Sequence, residues 1–127
     1  MNFSNAIVDA KKQQSAGNMR YTQFAALLWQ AGVESYTVNV ATHATTYAGR
    51  KGESHNEAGG TPRTVAAAYD SNILDAAVRA SRRGELDDAA FMDKVAASGI
   101  ATVEARIGDK VIIYAGHGSS YAEAITR

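Results

Sequence analysis

Residues 24–49, FAALLWQAGVESYTVNVATHATTYAG, decide the fold. Phe24, Leu27, Leu28 and Ala31 fall at i, i+3, i+4 and i+7, the one-sided stripe of an amphipathic helix. Gly32 follows at once, where a chain leaving a helix favours a left-handed backbone. Residues 34–40, ESYTVNV, then alternate, with Tyr36, Val38 and Val40 on one side. Residues 44–48, ATTYA, are β-branched and aromatic, and a turn around Thr42 and His43 pairs the two segments as a hairpin. The same plan returns 67 positions later, without a gap, as residues 91–116, FMDKVAASGIATVEARIGDKVIIYAG. There Gly99 stands for Gly32 and Tyr114-Ala115-Gly116 for Tyr47-Ala48-Gly49.

Upstream, a first helix is expected from Ser4, whose hydroxyl suits a cap. Ala6, Ile7 and Ala10 share its inner face, and Gly17 and Asn18 end it. Thr22 is the expected cap of the second helix. Residues 50–64, which include the only proline and a cluster of glycines, read as a connector. Beyond it Ser71 is expected to cap a helix with Ile73, Leu74, Ala77 and Val78 inward, ending at Gly84. Asp87 or Asp88 caps the next, with Phe91, Met92 and Val95 inward. Gly108 and Asp109 form the second hairpin turn. Residues 119–127 are open between a helical turn and a strand.

The positions shared by the copies are caps, stops and apolar anchors, which report a common backbone rather than a common active site. One helix-helix-hairpin buries its apolar face poorly, and two facing each other do it well. The expected fold class is therefore α+β: two tandem helix-helix-hairpin repeats, residues 1–60 and 68–127, forming one domain over 1–127. The antiparallel sheet is covered by helices.

Composition excludes several function classes. The 13 basic and 13 acidic residues cancel, whereas a dedicated nucleic-acid binder carries a basic excess. The chain has no cysteine, which removes disulfides, thiolate nucleophiles and cysteine-ligated zinc. No apolar run approaches the roughly 18 residues of a membrane span. The amino terminus lacks the basic start and apolar core of a secretory signal. A soluble, cytoplasmic protein is the expectation.

The motifs resemble those of the DUF1398 family, small bacterial and prophage-borne proteins that include YdfO-like and YbcV-like members. The resemblance rests on Gly17 to Phe24, Ala31-Gly32-Val33, Tyr36-Thr37-Val38 and Tyr47. In the second copy it rests on Gly84, Phe91, Ser98-Gly99-Ile100 and Tyr114, with Val103 where an aromatic is common. It implies an α+β fold and supplies no catalytic residues. Some relatives carry the label "phage envelope protein", but an envelope role finds no support in this composition.

Candidate sites are few, and each has a plainer reading. His117, in Gly116-His117-Gly118-Ser119-Ser120, could hold an anion beside a helix start at Ser119, or act as a base; a turn with a serine cap is the stronger reading. His43, His55 and Glu57 have ligating side chains, but a polar turn and connector explain them better, so no metal and no cofactor is expected. Arg79, Arg82 and Arg83 share a helical face that Asp75 and Glu85 balance. Trp29 sits off the central stripe, either covering a helix edge or anchoring a partner. Tyr36 and Tyr47 suit core or cross-strand packing, although both, with Tyr114, Arg50, His117 and Ser119, could line a cleft between the copies.

The function expected from these features is a non-enzymatic interaction module acting as a homodimer or with an unknown protein partner, through its hairpins or Trp29. The alternative is a small-molecule-binding protein or enzyme with a pocket at the junction of the repeats. Nucleic acid comes last, and no membrane is involved.

Overall fold

Gly32 and Gly99 adopt left-handed backbones, with φ of 100° and 86°, and each passes the chain from a helix into a strand. The computed structural model describes residues 2–16, 21–60, 62–86, 88–116 and 119–124. Among these, the first half contains helices α1 (Phe3–Ala16) and α2 (Tyr21–Gln30), then strands β1 (Val33–Asn39), β2 (Thr45–Gly49) and β3 (Ser54–Glu57). The second half contains α3 (Ser71–Arg82), α4 (Asp88–Ala97), β4 (Thr102–Arg106), β5 (Val111–Gly116) and β6 (Ser119–Ala124). The protein is thus α+β, with one six-stranded antiparallel sheet in the order β3-β2-β1-β4-β5-β6.

Each hairpin gains a third strand, one unexpected and one that the sequence left open. The connector expected over 50–64 contains β3, which pairs Tyr47 with His55 and Thr45 with Glu57. Its sequence, SHNE, has no β-branched or aromatic residue, so local propensity hid it. The tail, left open between helix and strand, forms β6, which pairs Tyr121 with Tyr114. The two hairpins share one sheet because β1 pairs β4, with Val38 opposite Val103 and Thr37 opposite Glu104.

Three helix starts also differ from expectation. The side chain of Asp70, not Ser71, caps α3, accepting from the amides of Asn72 at 2.9 Å and Ile73 at 3.2 Å. A carboxylate one residue earlier, on extended backbone, reaches both open amides at once. At α1, Asn2 Oδ1 accepts from Asn5 N at 2.7 Å, which leaves the Ser4 hydroxyl for another partner. Thr22 lies inside α2 rather than before it. Gly17, Asn18 and Asp87 fall outside the described residues.

The helices pack on one sheet face. Ile7, Phe24, Leu28, Val33 and Tyr47 form one buried cluster, and Leu74, Val95, Ile100, Val103 and Tyr114 anchor another. Each large aliphatic at zero exposure, such as Leu28 or Leu74, contributes about 1.5–3 kcal/mol. Tyr21 and Tyr36 touch both clusters and close the seam, their hydroxyls 2.6 Å apart. Arg82 stacks over the Tyr21 ring at 5.3 Å.

Candidate functional site

The densest polar cluster lies where α1 crosses the outer edge of the sheet. Alternation along β3 turns His55 and Glu57 inward and leaves Ser54 and Asn56 exposed. The first turns of α1 bring Ser4 and Lys11 over them. Lys11 Nζ donates to Glu57 Oε1 at 2.6 Å, and Tyr47 Oη donates to the same oxygen at 3.3 Å. The other oxygen, Oε2, lies 3.4 Å from His55 Nε2, and His55 Nδ1 lies 2.9 Å from Ser4 Oγ. The buried Tyr47 ring packs against the imidazole at 5.7 Å, tilted by 39°.

Proton positions follow from what each group can do. Burial pushes the Glu57 carboxyl up, but the bonds and charge of Lys11, then His55, outweigh it and hold it below the usual carboxylate value. An ionised carboxylate only accepts, so a hydrogen stands on His55 Nε2. In the tautomer that leaves Nδ1 bare, Ser4 Oγ–H donates to it. The chain runs from hydroxyl to imidazole to carboxylate, with Lys11 and Tyr47 fixing the last member.

This arrangement sets a pH dependence. A carboxyl whose folded pKa is depressed contributes stability above the ordinary value near 4.5, and that stability is lost as pH falls through the folded value. The charged or titratable groups facing it are Lys11 from α1, Tyr47 from β2 and His55 from β3. Urea midpoints should therefore drop below about pH 4.5 in the parent and drop less in Glu57→Gln. Parallel losses in both proteins would exclude Glu57 as the source.

A second polar group lies at the β1–β2 turn. Arg63 donates through Nε to Asp93 Oδ1 at 2.7 Å and through Nη1 to His43 Nδ1 at 2.7 Å. With Gly60, Pro62 and Ala89 these three residues line a half-open cavity of about 460 Å³. His43 is therefore engaged away from His55 and Glu57. Among the described residues, no three His, Asp or Glu side chains gather as a metal site would need.

The residues singled out from sequence scatter. His117 lies outside the described residues, and Ser119 opens β6 opposite Gly116. Tyr47 and Tyr114 are buried, at 3% and 1% exposure, on strands separated by β1 and β4. Three strand spacings, about 14 Å, keep them apart. Arg50 and Trp29 do meet. The guanidinium stacks 4.0 Å from the ring centroid, and its Nη1 donates to the Trp29 carbonyl at 2.6 Å. The far edge of that ring lies over Gly108 in the β4–β5 turn, and Trp29 stays 39% exposed. On α3, Arg79 pairs with Asp75 at 3.0 Å, and just beyond it Arg83 pairs with Glu85 at 2.6 Å, as the charge pattern suggested.

Sequence reasoning noticed His55 and Glu57 but placed them in a loop and missed Ser4. The i, i+2 spacing was visible. The 51-residue separation from Ser4 carried no local signal.

A family model described as a protein of unknown function, DUF1398, matches residues 5–121. No curated protein matches the chain. Among the described residues, no helix is long and apolar enough to cross a membrane.

Proposed function

We propose that this chain, which belongs to the DUF1398 family of proteins of unknown function, is an interaction module that acts as a homodimer through the open face of its sheet. The observation that carries the reading is the chemistry of that face. Past the bulge at Glu34, the charged outward positions on the described strands are Glu104 and Arg106, and these pair with each other at 3.3 Å. Their neighbours are small or apolar: Val111, Ile113 and Ala115 on β5, Ala122 on β6, Thr37 and Thr46 towards the middle. Interface cores are depleted of charge in this way, whereas solvated strand faces usually carry it.

The area is sufficient. Six strands at about 4.8 Å spacing, each about 17 Å long, offer on the order of 500 Å² per copy. Two stacked copies would cover on the order of 1,000 Å², near the lower bound for a specific interface.

The same reading treats the chain as one domain made by duplication. In support, the left-handed residues His43 and Lys110, with φ of 63° and 56°, are 67 positions apart, as are Gly32 and Gly99. Thr37 and Glu104, also 67 apart, stand opposite each other at the centre of the sheet. A local twofold axis would pass between them.

Light scattering after size exclusion, over a concentration series, tests the assembly. The parent should run as a dimer, and Ile113→Lys should run as a folded monomer, because it buries a charge in the stacked faces. A parent that stays monomeric at every concentration removes the reading. Dissociation by Trp29→Ala but not by Ile113→Lys would move the interface to the Trp29 edge.

The alternative, a small-molecule site at the junction of the halves, draws support from the cavity between His43 and α4. Arg63 already serves Asp93 and His43 there, so an anionic ligand would have to displace an ion pair. The open face is the better-supported site.

A further inference from the structure

We propose that Ser4 is an activated nucleophile, with His55 as its general base and Glu57 orienting the base, and that the site transfers small acyl groups from carboxylic esters. This goes beyond the assembly reading and is independent of it, since α1 and the inner side of β3 lie on the helix-covered face. Three observations converge. Ser4 Oγ is 2.9 Å from His55 Nδ1, which is bare and able to take its proton in the tautomer whose other nitrogen donates to Glu57. Both ends of the imidazole are held, by Ser4 and Glu57, and the Tyr47 ring packs beside it, so the ring is fixed before any substrate arrives. Glu57 is in turn fixed by Lys11 and Tyr47, which keep it an acceptor.

A hydroxyl, an imidazole and an ionised carboxylate bonded in that order are the parts of nucleophilic acyl transfer, whatever fold presents them. The 3.4 Å step from His55 to Glu57 is long, as such bonds often are before substrate binds. The ring is 16% exposed and Ser4 is half-buried, so both reach solvent at the surface.

The chemistry balances without any further reagent. Ser4 Oγ bonds to the ester carbonyl carbon as its proton passes to His55 Nδ1, and Glu57 stabilises the imidazolium. The tetrahedral adduct collapses, the carbon–alkoxide bond breaks, and the leaving alcohol takes the proton from Nδ1. Water then attacks the acyl-serine, giving its proton to Nδ1, and the carboxylic acid departs as Ser4 recovers its proton. The amide N–H of Ser4 lies beside the attacking oxygen in the first turn of α1, where it has no intrahelical acceptor.

The test uses a fluorophosphonate probe on the full chain, read by intact mass and peptide mapping. Phosphonylation displaces fluoride, and the adduct should map to Ser4. Ser4→Ala should give no adduct. His55→Gln should slow labelling at least about 100-fold, with a circular dichroism melt checking its fold. Should that variant fail to fold, Glu57→Gln serves instead, with an expected loss of about tenfold. No adduct on the parent overturns the proposal. So does an adduct on another residue, or a rate unchanged in the folded variants; each would leave the cluster as a clamp of β3 onto α1.

Discussion

Alanine at Gly99 is expected to cost about 4 kcal/mol, against about 1 kcal/mol for alanine at Gly84. Both glycines follow helices and both have positive φ, 86° and 74°. They differ in what surrounds them. A Cβ on Gly99 would lie 2.4 Å from the Ala68 carbonyl oxygen and 3.0 Å from Tyr69 Cα. A Cβ on Gly84 meets nothing within 4 Å. Gly84→Ala therefore suffers only the left-handed penalty, whereas Gly99→Ala adds an overlap with backbone. That backbone cannot retreat easily, because Ala66 N bonds Ala96 O at 2.9 Å and Asp70 N bonds Ser98 O at 2.8 Å. The strand end is fixed there too, since a Cβ on Gly116 would lie 2.3 Å from the Gly99 carbonyl oxygen. Urea titrations of the two variants decide the matter. Equal shifts would mean that the crowding at Gly99 carries no energy.

Tyr114→Ala should cost about 4 kcal/mol, and Tyr114→Phe about 1 kcal/mol or less. The side chain is 1% exposed. Its ring meets Phe91 edge-on at 6.3 Å and stacks on Tyr121 at 5.9 Å. Truncation opens a cavity between α4 and β5 and removes two aromatic contacts, while loss of the hydroxyl alone leaves both. Chemical denaturation measures the first effect, and near-ultraviolet circular dichroism should report the loosened ring packing. If Tyr114→Ala behaved like a surface substitution, the side chain would be a lining residue of an open cleft, as one reading of the sequence allowed.

Much of the fold was legible because its signals are local. The stripe Phe24, Leu27, Leu28 is a property of consecutive turns. Gly32 and Gly99 mark helix ends because only glycine takes those angles without strain. The pair Asp75 and Arg79 is one helical turn apart. β3 escaped because an edge strand of Ser-His-Asn-Glu has neither the β-branched residues nor the apolar alternation by which strands are read. Ser4 was read as a cap because a serine near a helix start usually is one. Here Asn2 takes that work, and the hydroxyl is left for His55.

The four helices, the two central hairpins, the inward face of each helix and the chain's lack of basic excess follow from the residues alone, since periodicity and composition act over a few positions. The tertiary structure decided that β1 lies beside β4 and that the described helices pack on one face of the sheet. It also decided that Lys11, Ser4, His55 and Glu57 meet across 46 to 51 residues of chain. The physical reason is range. A stripe is set by neighbours along the backbone, whereas a bond between α1 and β3 exists only once the sheet register and the docking of the helix have been fixed by the core.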